Sequence, residues 1–500
     1  MRTPFSPLFC CLVVSTVGFT VACGGAQTST RIPSSLATRC VNAQREVISR
    51  QTAGKHVSAT LRWRAGEIVE DIDEKQLADR LRIGRAGQQT WVLARGGAGK
   101  SRIVDSVQSG SCDRVATVRM DAALDFRPKA ELATAKRPAL AAVVAEKLEI
   151  TGEGDIIELL QDTLGGQPWL ILVDGTDEVT AAERRMLDKD LAWLSRQRIT
   201  QPHIVRFERP GFSDATRSQP PDAVVELPEL SCEVVDATLA RKFAAEGTHL
   251  AARAFLVKFG LDRKRATDKT CRYVHMATWR DVETVSDLAA DAAKGMDEPP
   301  AVPNRAEIYA TWFGHRLSAI APSADAATRW LDRIVALGVQ EASEPDLLLT
   351  LDRCSNVATP GAAPHSEACA ALMKSAGVKP GPSSTSWILR NQTLTDLLLA
   401  RWLVNKYEDC ALLSAATADV ASLELTAMVF GQTVGRRCLV PIVAAVCSRG
   451  TPAEQIGKFV DEALARDAEF VELIDRAKEM AQTACEREAF AAVGAGGAAR

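Results

Sequence analysis

The stretch Arg95-Gly96-Gly97-Ala98-Gly99-Lys100-Ser101 has residue types and a spacing that could do chemistry. It follows an apolar run and opens a helical pattern, the setting in which glycines let successive backbone N–H groups turn around a phosphate. The helix start adds favourable partial charge for an anion. Gly96, Gly97, Ala98 and Gly99 would form the cradle, Lys100 would reach the β- and γ-phosphates, and Ser101 would ligate Mg²⁺. The common pattern has a glycine where Ala94 stands, a mild departure that bears on the turn into the loop. Further on, the apolar run Trp169–Val173 ends in Asp174-Gly175-Thr176-Asp177-Glu178. Asp174 at such a strand tip could hold Mg²⁺, and Asp177 and Glu178 could orient or deprotonate an attacking water. Either half alone has a bland reading, a glycine-rich turn or an acidic helix start. Two matching halves in the right order favour a nucleotide site.

The elements that must position these residues are legible in outline. Thr90–Ala94, Val115–Val118, Trp169–Val173 and His203–Phe207 read as buried strands, and Leu140–Leu148 and Ala181–Gln197 carry helical periodicity. Alternating strands and helices predict a parallel sheet with helices on both faces. Beyond Val234 strands nearly vanish, and breaks at Glu298-Pro299-Pro300 and Pro360–Pro364 divide helical blocks. A chain of 500 residues needs several domains. Hydrophobic residues at 46% and charged residues at 25% exclude a disordered chain and a polytopic membrane protein. The net charge of −3 leaves no basic field for non-specific nucleic-acid binding, so no nucleic-acid partner is expected.

The amino terminus points to export. Leu8–Ala22 is apolar but shorter than the ~20 residues that span a bilayer, and it ends Thr20-Val21-Ala22-Cys23. This resembles a bacterial lipobox with Cys23 as the lipidation site, on a lipoprotein of the cell envelope facing the periplasm or the outer membrane. The alternative is an uncleaved anchor with the remainder facing the cytoplasm, which the arginines Arg31, Arg39, Arg45 and Arg50 beyond the run leave open. Of the 13 cysteines an even number remains once Cys10, Cys11 and Cys23 are set aside. Cys354–Cys369 and Cys438–Cys447 are candidate disulfides, with buried free thiols the competing reading. No cysteine or histidine spacing suggests a metal site of its own.

Asp174-Gly175-Thr176-Asp177-Glu178 is more specific than a generic nucleotide site. With the phosphate loop it resembles NACHT-type P-loop NTPases of the STAND class, whose acidic strand runs into D-G-x-D-E. Ile204–Pro210 resembles the family's sensor strand, with Glu208 in place of a serine and Arg209 placed to sense the γ-phosphate. Arg305–Trp312 is similar to the helical-domain motif, and Asn391–Ala400 to the winged-helix motif, with Asn391 at the nucleotide-sensing histidine and Thr395-Asp396 at its Gln-Glu. An asparagine amide could still donate to a phosphate oxygen.

The resemblance implies an α/β P-loop NTPase core, a helical domain, a winged-helix domain and a helical C-terminal extension. The boundaries expected are a signal peptide 1–22, a tether 23–40, a small segment 41–88 and the NTPase domain 89–232. The helical domain follows over 233–322, the winged helix over 323–404, the extension over 405–492 and a tail over 493–500. It further implies ATP/ADP and Mg²⁺ as cofactors, slow hydrolysis, a switch between a closed ADP form and a self-associating ATP form, and an unknown protein trigger. The extension is either a small sensor and oligomerisation module or packing for the winged helix. The competing function is a non-catalytic, membrane-anchored scaffold that binds other proteins.

Overall fold

In the computed structural model the described residues run from 60 to 318 and from 391 to 493, each less short internal stretches. A few residues around Cys40 and five short strands between 339 and 389 are also described. The signal segment, Cys23, the tether, Cys354, Cys369 and most of the expected winged helix lie outside them. No helix among the described residues is long and apolar enough to cross a membrane.

Seven strands form one sheet in the order β2-β1-β7-β3-β6-β5-β4. They are β1 (Leu61–Ala65), β2 (Ile68–Ile72), β3 (Gln89–Leu93), β4 (Ala116–Asp121), β5 (Trp169–Asp174), β6 (His203–Glu208) and β7 (Ala223–Glu226). The strands β3 to β7 are parallel to one another, and the antiparallel hairpin β1–β2 joins the β7 edge with β1 antiparallel to β7. The four strands expected from sequence are β3, β4, β5 and β6. The order brings β6 between the strand of the phosphate loop and the strand of the acidic cluster.

Every residue of β5 and β6 is buried, which accounts for their unbroken apolar runs, because both faces of a parallel sheet are covered. Trp169, Ile171 and Val173 face one core with helices α3 (Ala139–Lys147) and α4 (Ala181–Leu194). Leu170 and Leu172 face the other, against α1 (Glu74–Ile83) and α2 (Lys100–Ser111). The segment before residue 88 belongs to this second core through Leu61, Trp63, Leu77 and Leu81.

The described residues between Cys232 and Val493 are mainly helical and contribute to a single hydrophobic cluster. Its principal helices here are α5 (Trp279–Ala292), α6 (Arg305–Ser318), α7 (Gln392–Lys406), α8 (Leu423–Phe430), α9 (Leu439–Cys447) and α10 (Ala453–Ala463). The motif beginning at Arg305 is the start of α6. Arg305 donates through Nε and Nη2 to Asp281 Oδ1 at 3.1 and 3.0 Å, joining α6 to the first turn of α5.

Four disulfides fall among the described residues: Cys40–Cys112, Cys232–Cys271, Cys410–Cys438 and Cys447–Cys485. The expected Cys438–Cys447 pair is therefore wrong. The two residues stand at opposite ends of α9, roughly 13 Å apart along a helix rising 1.5 Å per residue, beyond the reach of a bridge. Complete reduction should lower the unfolding temperature measured by scanning calorimetry. The Cys40–Cys112 link spans 72 residues. In the chain-entropy account, closing a loop of that length is worth roughly 4 kcal/mol. An unchanged transition after full reduction would contradict this.

Candidate functional site

The phosphate loop leaves the C-terminal end of β3 and enters α2. Ala94 continues the sheet, its N–H donating to the Glu208 carbonyl at 2.9 Å. Its backbone is not left-handed, so the turn accepts a side chain where the common pattern has glycine. The glycines that the turn does require are Gly97 and Gly99, at φ 77° and 98°. A side chain on Gly97 would also stand 2.5 Å from Arg280 Cβ, where the first turn of α5 rests on the loop. The Arg280 N–H donates to the Gly97 carbonyl at 3.3 Å.

A cavity of about 320 Å³ opens over this loop. Gly96, Gly97, Gly99, Lys100, Ser101, Asp177, Glu178, Arg209 and Asn391 line it, so most sequence-predicted site residues meet in one place. Ala98 and Asp174 are not among its lining residues. Ala98 is turned into the loop's own bend, with its N–H on the Arg95 carbonyl. Asp174 is buried at the tip of β5, where burial pushes its carboxyl up while Lys100 and Arg119 pull it down.

Asp177 sits between two cations. Lys100 Nζ donates to its Oδ2 at 2.9 Å and Arg209 Nε to the same oxygen at 2.6 Å. Burial works against the charge, but Lys100 and Arg209 hold the carboxyl well below the usual carboxylate range. So low a basicity suits an ion-pair latch more than proton abstraction, which is one of the two roles expected of Asp177 beside orienting a water. Glu178, next in the chain, also lines the cavity.

Arg209 is fully buried and shared by three acids. Besides Asp177 it meets Asp396 Oδ2 and Glu424 Oε2, both at 2.8 Å from Nη1. Burial opposes its charge, and Asp396, Glu424 and Asp177 more than restore it. Asp396 is pushed up to about 6 by burial, against the pull of Arg209 and with Glu424 and Asp177 adding to the rise.

Among the buried donors without a hydrogen-bond partner are Arg209 Nη2 and Asn391 Nδ2, both in residues that line the cavity. Asn391 caps α7, its Oδ1 accepting from the Leu394 N–H at 3.3 Å, which leaves the amide nitrogen to spare. Orphan donors beside a phosphate loop fit an anionic ligand. The donor set also suits Mg²⁺ shared with phosphates, which needs only one or two protein oxygens. No group of three or more metal-binding side chains occurs among the described residues.

The site has members that sequence reading missed. Glu424 in α8 and Glu462 in α10 come from the C-terminal extension. Arg95 meets Glu462 at 2.6 Å, Glu229 at 3.1 Å and Glu424 at 3.5 Å. The one local signal was a lone acid inside the apolar run Leu423–Phe430, because a charge placed there needs a partner.

The parallel strands, the loop between β3 and α2, and the acidic tip of β5 define an α/β P-loop NTPase fold. No protein-family model and no curated protein matches the chain. Among solved structures it is similar to the Orc1 protein of Aeropyrum pernix, solved in complex with DNA. The identity is 12% and the TM-score 0.30, covering 65% of this chain and 80% of that one.

Proposed function

We propose that the chain is a nucleotide-dependent switch of the NACHT type that binds ATP or ADP with Mg²⁺ and hydrolyses ATP slowly. The observation that carries this reading is the cavity over the phosphate loop, where Lys100, Arg209 and the orphan amide of Asn391 converge. Loop N–H groups of Gly97, Gly99 and Lys100 bind the phosphates, and Lys100 exchanges Asp177 for phosphate oxygens. Ser101 and Asp174 hold Mg²⁺, and Glu178 orients the attacking water. Arg209 and Asn391 sense the terminal phosphate. In this reading α7 belongs to a winged helix, and exchange of nucleotide alters its contact with Arg209 and leads to self-association.

We also propose that the chain acts in the cell envelope, lipidated at Cys23. The four disulfides support an oxidising compartment, where such bridges persist. Metabolic lipid labelling that disappears in Cys23→Ser tests this arm, and no label on the parent would overturn it.

The test of the switch is to denature the purified chain, identify any nucleotide released, and measure Mg²⁺-dependent ATP turnover. Glu178→Gln should keep binding and lose turnover by about 10²–10⁴-fold, the usual contribution of a positioned acid–base group. A chain that holds no nucleotide and binds none on addition would leave the scaffold reading in its place.

A further inference from the structure

The C-terminal extension places a carboxylate on the phosphate loop itself. Glu424 accepts from the Gly96 N–H through both oxygens, Oε1 at 2.9 Å and Oε2 at 3.1 Å. The same side chain meets Arg209 at 2.8 Å and Arg95 at 3.5 Å. Its oxygen lies 3.0 Å from where a Cβ on Gly96 would stand, an approach that a side chain on Gly96 would crowd. Glu424 is buried, as are Arg95 and Arg209, so this is a built contact.

The position along the site identifies what Glu424 stands in for. Lys100 serves the β- and γ-phosphates of a nucleotide. Asp177 bonds both Lys100 and Arg209, and Glu424 bonds Arg209 in turn, so ion pairs connect the Lys100 amine to Glu424, which also holds the Gly96 N–H of the loop. A loop N–H and two guanidinium groups around one carboxylate are the donors that an anionic phosphoryl group would take. Two such anions cannot share them, because like charges at contact distance in a buried site repel strongly.

Resting on the nucleotide-binding reading, we infer that Glu424 is a built-in competitor for the terminal phosphate of a nucleoside triphosphate, so that α8 and the C-terminal extension report whether ATP or ADP is bound. ADP fits beneath the Glu424 contact. ATP must displace it, freeing Gly96 and one face of Arg209. Glu462 gives the movement a second grip. Its oxygens take Arg95 Nη1 at 3.1 Å and Nη2 at 2.6 Å, and Phe459 in the same helix lies against that guanidinium, 4.9 Å from ring centre to Cζ. Release of Glu424 therefore loosens α8 first, while α10 stays tethered to Arg95.

Calorimetric titration of the full chain and of Glu424→Gln with MgATP and with MgADP tests this. The glutamine keeps the shape and loses the charge. ATP affinity should rise at least tenfold in the variant while ADP affinity moves by less than about threefold. ATP binding that appears only in the variant would have the same meaning. Hydrogen exchange on the parent supplies a second reading should the variant fold poorly, and exchange over Leu423–Phe430 should quicken with MgATP and not with MgADP. An ATP-to-ADP affinity ratio equal in both chains, or equal protection of that helix under both nucleotides, overturns the inference and leaves the nucleotide site standing. Binding of neither nucleotide by either chain overturns the site itself and the inference with it.

Discussion

On the proposed function, Lys100→Ala should lose affinity for MgATP by about two orders of magnitude, close to 3 kcal/mol, and remain folded. Lys100 is the first residue of α2, and its amine has Asp177 as its ion-pair partner at 2.9 Å. A charged donor to a phosphate contributes about 1.5–3 kcal/mol, and truncating one member of a buried charged contact costs about 2–5 kcal/mol. Those ranges meet at a hundredfold loss. The fold survives for two reasons. Asp177 keeps Arg209 at 2.6 Å, so no carboxylate is stranded. The buried face of α2, with Ile103, Val104 and Val107, does not depend on Lys100. Titration calorimetry gives the affinity, and a thermal melt of the same sample shows that the loss is local. Undiminished affinity in a folded variant would remove the loop from the binding site.

The parts of this architecture that the sequence displays are those governed by local rules. Trp169–Val173 must be apolar throughout because sheet residues on both faces are covered, and the loop glycines must be glycines because Gly97 and Gly99 sit at positive φ. The hairpin β1–β2 carried a readable signal as well. Leu61 and Trp63 are buried while Arg62 and Arg64 point outward, a period of two that the reading of 41–88 as a small mixed segment passed over. β7 is short, and its Val224 is only half-buried, so its pattern is weak. The acids on Arg95 and Arg209 belong to another class of information. Glu424 and Glu462 stand 329 and 367 residues from Arg95, and no local pattern specifies a contact over that distance. Disulfide partners fail for the same reason. Cys438 and Cys447 are neighbours along the chain, yet one helix holds them apart and other helices bring Cys410 and Cys485 to them.

Arg209→Ala should be the most damaging single substitution in the site, lowering stability by about 3–5 kcal/mol. The side chain is 2% exposed and is the shared counter-charge of Asp177, Asp396 and Glu424. Asp177 retains Lys100 and Glu424 retains Arg95, so the stranded acid is Asp396. Adding Asp396→Asn should therefore restore part of the loss, an interaction that the double-mutant cycle isolates.

The pH dependence follows from the same assignment. Burial already pushes Asp396 up to about 6 in the parent, above its unfolded value of roughly 3.9. An acid raised on folding binds its proton more tightly in the folded state, so its contribution to stability improves as pH falls through the folded pKa. In the parent that improvement runs from about pH 6 down to about 4. Without the guanidinium, which pulls Asp396 down, the window moves upward toward neutrality. Urea unfolding of parent and variant above and below that window should show the deficit of Arg209→Ala shrinking as the solution is acidified. A deficit that is constant with pH, or that Asp396→Asn leaves untouched, would place the damage in lost packing around Arg209 and not in a stranded charge.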